Sequence, residues 1–214
     1  MRHVLLTAMQ LLLITAVSLA QKNFTILPEK PKAGDIITFT YEPAGAILGT
    51  LKPVEAVAYF NGTKPDADDI ALKKEGKKYT GTIKTDTSQN FIYLGFSADN
   101  KWDNNFNEGY YILLNDNDGK VKKGAYNNLA MFYQFMGGQV GVERNNEKAM
   151  ASMEKEMELY PKDRKTWLPQ YMRLASNVKK DQAPAMIQKE IEALLKEGLK
   201  TEEDYAAVEA LYDV

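Results

Sequence analysis

The hydrophobic pattern of this chain changes period once, near residue 120, and that change restricts it to a β part followed by an α part. Ahead of the change, short apolar runs are cut by Gly, Pro, Asn and Asp, as in strands separated by turns. Behind it, apolar residues recur every three to four positions, as on one face of a helix.

The first part reads as six or seven short strands. Phe24–Leu27 is one, stopped by Pro28 and Pro31. Ile36–Tyr41 follows the Gly34-Asp35 turn, and Val54–Phe60 is closed by the turn pair Asn61-Gly62. Asp68–Lys73 is a short edge strand. Lys78–Thr85 alternates, with Tyr79, Gly81 and Ile83 on one side. Phe91–Phe96 is continuously apolar, as for a central strand, and Tyr110–Leu114 is the last. Strands of this length and spacing over residues 21–119 imply an immunoglobulin-like antiparallel β-sandwich. Without a Cys pair or a mid-chain Trp it is not an antibody-type domain.

The second part, residues 120–214, predicts five helices: 125–137, 146–160, 164–177, 184–196 and 201–214. Sliding it against itself aligns Tyr133 with Trp167 and Ala149 with Ala183 at an offset of 34, the tetratricopeptide period. In the first copy Tyr133, Met136, Gly137 and Val140 take the first-helix positions, and Ala149, Met153 and Pro161 those of the second. Glu156 is the misfit, standing where a small residue is usual. In the second copy Trp167, Leu174, Ala183 and Ile187 fit, while Gln170, Tyr171, Glu190 and Leu195 do not, and the alternative is a generic helical bundle with chance self-similarity. Small residues at Ala149 and Ala183 let paired helices approach closely, and the bulky positions fill the groove between them. A third copy would begin near Gly198, with Tyr205 and Val208 facing inward, and would offer only its first helix. Such arrays need a capping element, so the reading frame is expected to continue past Val214. Thr201 with Asp204 is a weak helix-start signal, since a capping box would carry Glu or Gln.

Residues 1–20 read as a secretory signal: a basic start, an apolar run from Val4 to Val17, and Ser18 and Ala20 before a cut that leaves Gln21 first. The run falls short of the ~20 residues of a membrane span, and no later stretch reaches that length. The chain is therefore expected to be exported, to periplasm or cell envelope. Cleavage would remove His3, the one histidine, and there is no Cys. The mature chain then has no thiol nucleophile, imidazole base or Cys/His zinc site, and no cofactor is implied. With 27 basic and 29 acidic residues it shows no basic stripe of the kind nucleic acid demands.

The loop 99–109 is the best ligand candidate, through Trp102, Asn104, Asn105 and Phe106. Its Trp-Asp-Asn-Asn stretch before Gly109-Tyr110 resembles loops of starch-binding modules with immunoglobulin-like folds. That resemblance implies Trp102 stacking on a sugar face with Asn side chains at its hydroxyls. The competing reading, which is preferred, has the Asn and Asp side chains bonding their own backbone. Asp116-Asn117-Asp118-Gly119 lacks the spacing of a calcium loop and reads as a turn. Lysines 73, 74, 77 and 78 around Gly76 read as guards of an exposed sheet edge.

Gly34-Asp35-Ile36-Ile37-Thr38-Phe39-Thr40-Tyr41, the preceding Phe24-Thr25-Ile26 and the repeat segment Ala149–Pro161 together resemble the N-terminal half of exported bacterial thioredoxin-like disulfide reductases. In that family a thioredoxin domain with Trp-Cys-x-x-Cys follows. No such motif is present here, so no reductase residue is carried over. The resemblance implies a non-catalytic scaffold that serves a following thioredoxin-like domain or a separate protein partner.

Overall fold

The computed structural model describes residues 23–214; the expected signal segment lies outside them. The chain divides into two compact units. The first runs to Lys122 and includes Gly137–Glu143; the second comprises Lys123–Met136 and Arg144–Val214.

Among the described residues the first unit holds nine strands in two antiparallel sheets. One sheet orders β1 (Phe24–Leu27), β2 (Ile36–Tyr41), β6 (Lys78–Lys84) and β5 (Lys73–Glu75) as β1-β2-β6-β5. The other places β4 (Asp66–Asp69), β3 (Glu55–Gly62) and β7 (Gln89–Ala98) side by side, with β8 (Lys101–Asp103) and β9 (Tyr110–Leu113) both on β7. Alternation decides what is buried. Ile37, Phe39 and Tyr41 of β2 and Tyr79 and Ile83 of β6 share one core with Ala56, Ala58 and Phe60 of β3 and Ile92, Leu94 and Phe96 of β7. Tyr41 and Phe96 stack across it, ring centres 3.7 Å apart.

One turn and one strand differ from expectation in the structure. Asn61-Gly62 is not a turn: it extends β3 along β7 through a bulge, and a Cβ on Gly62 would lie 2.2 Å from the Ser88 carbonyl. The segment expected as one edge strand, 68–73, is split between β4 and β5, one in each sheet. The β5–β6 hairpin and the 116–119 turn form where expected. In the latter the Asp116 side chain accepts the N–H of Asp118 at 2.9 Å and of Lys120 at 3.0 Å.

The second unit contains α1 (Ala125–Met131), continued by a wide helical turn over Phe132–Met136, then α2 (Asn146–Leu159), α3 (Arg164–Val178), α4 (Ala183–Glu197) and α5 (Glu202–Tyr212). α1 packs on α2, α2 on α3, and α3 on both α4 and α5. Gly137 and Val140 do not lie on α1; they form a short 3-10 turn, Gly137–Val140, within the first unit. Tyr133, Ala149, Met153 and Ala183 are buried, while Ile187 and Trp167 are half-buried.

Two details of the helices depart from expectation. Asp204 closes a full capping box: Thr201 Oγ1 accepts the Asp204 N–H at 3.2 Å, and Asp204 Oδ2 accepts that of Thr201 at 3.0 Å. An Asp one methylene shorter than Glu still spans the gap. Tyr205 does not face inward; it is 59% exposed. The buried stripe of α5 is Asp204, Ala207, Val208 and Leu211, because Asp204 turns toward Lys165 of α3, 2.8 Å away.

Candidate functional site

β8 and β9 are two halves of one run along the same side of β7. Asp103 stands opposite Phe96 and Tyr110 opposite Leu94, so residues 104–109 form an excursion across from the single residue Gly95. This excursion contains most of the expected ligand residues. β8 itself, hidden in an Asn- and Asp-rich stretch, had no pattern of its own.

Asp103 organises the region. It is 1% exposed, and its carboxylate accepts four hydrogen bonds. Oδ2 takes the Tyr41 hydroxyl at 2.6 Å, the Tyr110 hydroxyl at 3.0 Å and the Ala44 N–H at 2.8 Å; Oδ1 takes the Asn105 N–H at 3.0 Å. The Tyr110 hydroxyl accepts in turn from Asn23 Nδ2 at 2.6 Å. Burial, and then the Asp103 carboxylate, hold both tyrosine hydroxyls protonated far above their ordinary range. A carboxylate so engaged serves as a shared structural acceptor for four groups. It pins the 42–54 connection through Ala44 and the 104–109 excursion through Asn105.

Asn105, Phe106 and Asn107 are all left-handed, with φ of 51°, 54° and 70°. Asn tolerates this region and Phe does so at a cost. The turn is held partly by its own backbone and partly by the segment 141–143. Asn105 Nδ2 donates to the Gly109 carbonyl and Asn104 Nδ2 to that of Gly141, each at 2.9 Å. Asn107 Oδ1 accepts the Glu143 N–H at 2.7 Å. Asn105 Oδ1 is buried without a partner among the described residues.

Trp102 is not an open platform. Its ring lies where a Cβ on Gly95 would come within 2.6 Å, and its Cβ is as close as 2.9 Å to one on Gly141. The aromatic ring that faces solvent is Phe106, 78% exposed. The structure therefore separates the four residues: Asn104 and Asn105 build the turn, Trp102 is half-buried against Gly95 and Gly141, and Phe106 projects.

In the second unit the buried acids are spent similarly. Glu156, fully buried on α2, accepts the N–H groups of Gly124 at 2.7 Å, Tyr126 at 3.0 Å and Asn127 at 3.3 Å, capping α1. This explains the misfit in the small-residue position. Trp167 Nε1 and Asn127 Oδ1 are buried without a partner among the described residues. No group of three or more His, Cys, Asp or Glu side chains among the described residues could hold a metal ion, and no helix among them is long and apolar enough to cross a membrane.

The sequence matches no protein-family model and no curated protein.

Proposed function

We propose that the chain is a non-catalytic, exported interaction scaffold, the N-terminal part of a thioredoxin-family disulfide reductase, with an immunoglobulin-like sandwich followed by tetratricopeptide-like hairpins. The first unit offers an anchored aromatic to a protein partner, and that partner is a separate protein or a thioredoxin-like domain on the same polypeptide. The observation that carries the reading is Phe106: a bulky side chain kept exposed on a left-handed turn that Asp103, Asn104, Asn105 and Asn107 hold in place. Backbone strain of this kind persists where the surroundings over-determine it and concentrates at functional positions. A rigid aromatic also loses little freedom on binding, which is why such residues dominate protein interfaces.

The carbohydrate reading is weaker, because the sugar platform it needs is the Trp102 face, and Trp102 is packed against Gly95 and Gly141. One assay tests the absence of disulfide chemistry, and a second separates the scaffold from the carbohydrate reading. The purified chain is expected to leave insulin disulfides unreduced, since reduction needs a thiolate and the chain has no Cys; turnover would contradict the scaffold. Affinity electrophoresis through starch and other glucans is expected to show no retardation. Retardation lost in Trp102→Ala would establish the sugar site in its place.

A further inference from the structure

We propose that the groove between residues 42–50 and the β5–β6 turn of the first unit docks an acidic segment of a protein partner that carries one apolar side chain beside its carboxylates. The proposal rests on the scaffold reading and gives the chemistry of one partner surface, whose lining does not include Phe106.

The groove follows from strand register. Phe24 pairs with Tyr41, Tyr41 with Tyr79, and Glu75 with Lys78, so the end of β2 and the β5–β6 turn stand at the same end of one sheet. The chain leaves β2 through Glu42 and Pro43 and folds a short 3-10 turn, Gly45–Ile47, held from below by the Ala44–Asp103 bond. The cleft this leaves has a volume of about 270 Å3, with Pro43, Leu48 and Tyr79 as apolar lining and Lys74 and Lys77 as cations. That is below the roughly 300–1,000 Å3 of small-molecule sites and suits a single side chain of a peptide.

Charge selects the partner. The hairpin has one carboxylate, Glu75, and Lys73 takes it at 2.6 Å. Lys74 and Lys77 have no carboxylate partner among the described residues; the Lys74 ammonium sits 5.5 Å from the centre of the Tyr79 ring. The lip of the groove shows Leu48, 74% exposed, and just beyond it Leu51, fully exposed, followed by Lys52. Apolar residues bordered by uncompensated lysines complement apolar residues bordered by carboxylates. An anionic bilayer shares part of that chemistry. The concave shape favours a chain segment entering a cleft over a flat layer of headgroups; Glu42 in the lining offsets part of the lysine charge and leaves the groove net positive, with Lys74 and Lys77 against one carboxylate.

The test is an amide-resonance titration of the 15N-labelled full chain with the peptide acetyl-Asp-Asp-Leu-Glu-Asp-amide. A second peptide with Gly for Leu, and sedimentation with phosphatidylglycerol-containing vesicles, run alongside. The expected result is saturable shifts at Leu48, Gly49, Thr50, Gly76 and Lys77. Affinity is expected to fall at least about tenfold in Lys74→Glu/Lys77→Glu and in the milder Lys74→Gln/Lys77→Gln, and with the Gly peptide. Both lysines are exposed, so the remaining resonances stay in place and report an intact fold. Absence of shifts, equal binding of the two peptides, equal binding by the lysine variants, or vesicle binding without peptide binding would each overturn the proposal. Failure here leaves the scaffold reading standing, because that reading rests on Phe106.

Discussion

Tyr41 and Asp103 meet at 2.6 Å across the two sheets of the first unit, and this one bond joins β2 to the start of the 104–109 excursion. Asp103→Ala would strand two hydroxyls and two backbone N–H groups. We expect a loss of roughly 3–5 kcal/mol, read as a lower denaturation midpoint of the first unit. Tyr41→Phe removes one of four donors and keeps the ring stacked on Phe96; about 1–2 kcal/mol is expected. Equal effects of the two substitutions would mean that Asp103 is not the shared acceptor.

The same burial predicts alkaline sensitivity. An unfolded tyrosine ionises near its ordinary pKa of about 10. In the fold, burial raises Tyr41 and Tyr110 far above that and pushes Tyr93 and Tyr171 up to about 12. Between those values the folded state binds more protons than the unfolded one, so stability is fully present below about pH 10 and falls as pH rises through the folded range. Absorbance at 295 nm is expected to show Tyr41 and Tyr110, of the chain's 12 tyrosines, ionising only together with unfolding, and Tyr93 and Tyr171 ionising later than an exposed tyrosine. A single smooth titration of all of them near the ordinary pKa would contradict their burial.

Acid acts on a different element. The Lys165 ammonium at 2.8 Å, and then the N–H groups of Lys200 and Thr201, hold the Asp204 carboxyl below the usual range. Its contribution is present above the unfolded pKa of about 3.9 and is lost as pH falls toward the depressed folded value. Helical circular dichroism between pH 5 and the acid limit should fall less steeply in Asp204→Asn, which begins less stable at neutral pH. An identical acid transition in both proteins would remove Asp204 from the account.

Glu156→Ala is expected to cost roughly 2–4 kcal/mol, because three N–H groups at the start of α1 lose their acceptor in a buried place. Glu156→Gln keeps the shape and one acceptor oxygen, and should cost less. A tetratricopeptide-type small residue here would satisfy the repeat pattern and still destabilise the unit, so Glu156→Ala separates pattern from physics.

Phe106→Gly should stabilise the chain by about 1 kcal/mol, since glycine occupies the left-handed region without the penalty a Cβ brings. The readout is a higher thermal midpoint. A fall in stability would show that the ring packs structurally, in conflict with its 78% exposure.

Local patterns made much of the fold legible. β1, β2 and β6 each announce themselves by alternation or by a Pro or Gly boundary, and the helices by an apolar stripe between breakers. What escaped depends on partners distant in sequence. Lys101–Asp103 is a strand only because β7 runs two residues beyond its obvious apolar core to pair with it. Asn61-Gly62 carries a turn signal that the Ser88 backbone overrides. Nothing around Asp103 marks it as the acceptor for residues 41, 44, 105 and 110, because three of its donors come from other segments. Glu156 was visible only as an exception to a repeat. At the 99–109 loop the residue types singled out Trp102 and Phe106 alike, and the difference in their exposure depends on the neighbours Gly95 and Gly141.

The most direct measurement is photo-crosslinking from position 106 in the native host, with a benzophenone amino acid in place of Phe106 and the same residue at exposed Thr82 as control. The account predicts a light-dependent adduct to a protein from position 106 and not from 82. The purified partner should then bind the wild-type chain at least about tenfold more tightly than Phe106→Ala. No protein adduct above the level at position 82, or a partner whose affinity ignores Phe106→Ala, would contradict it.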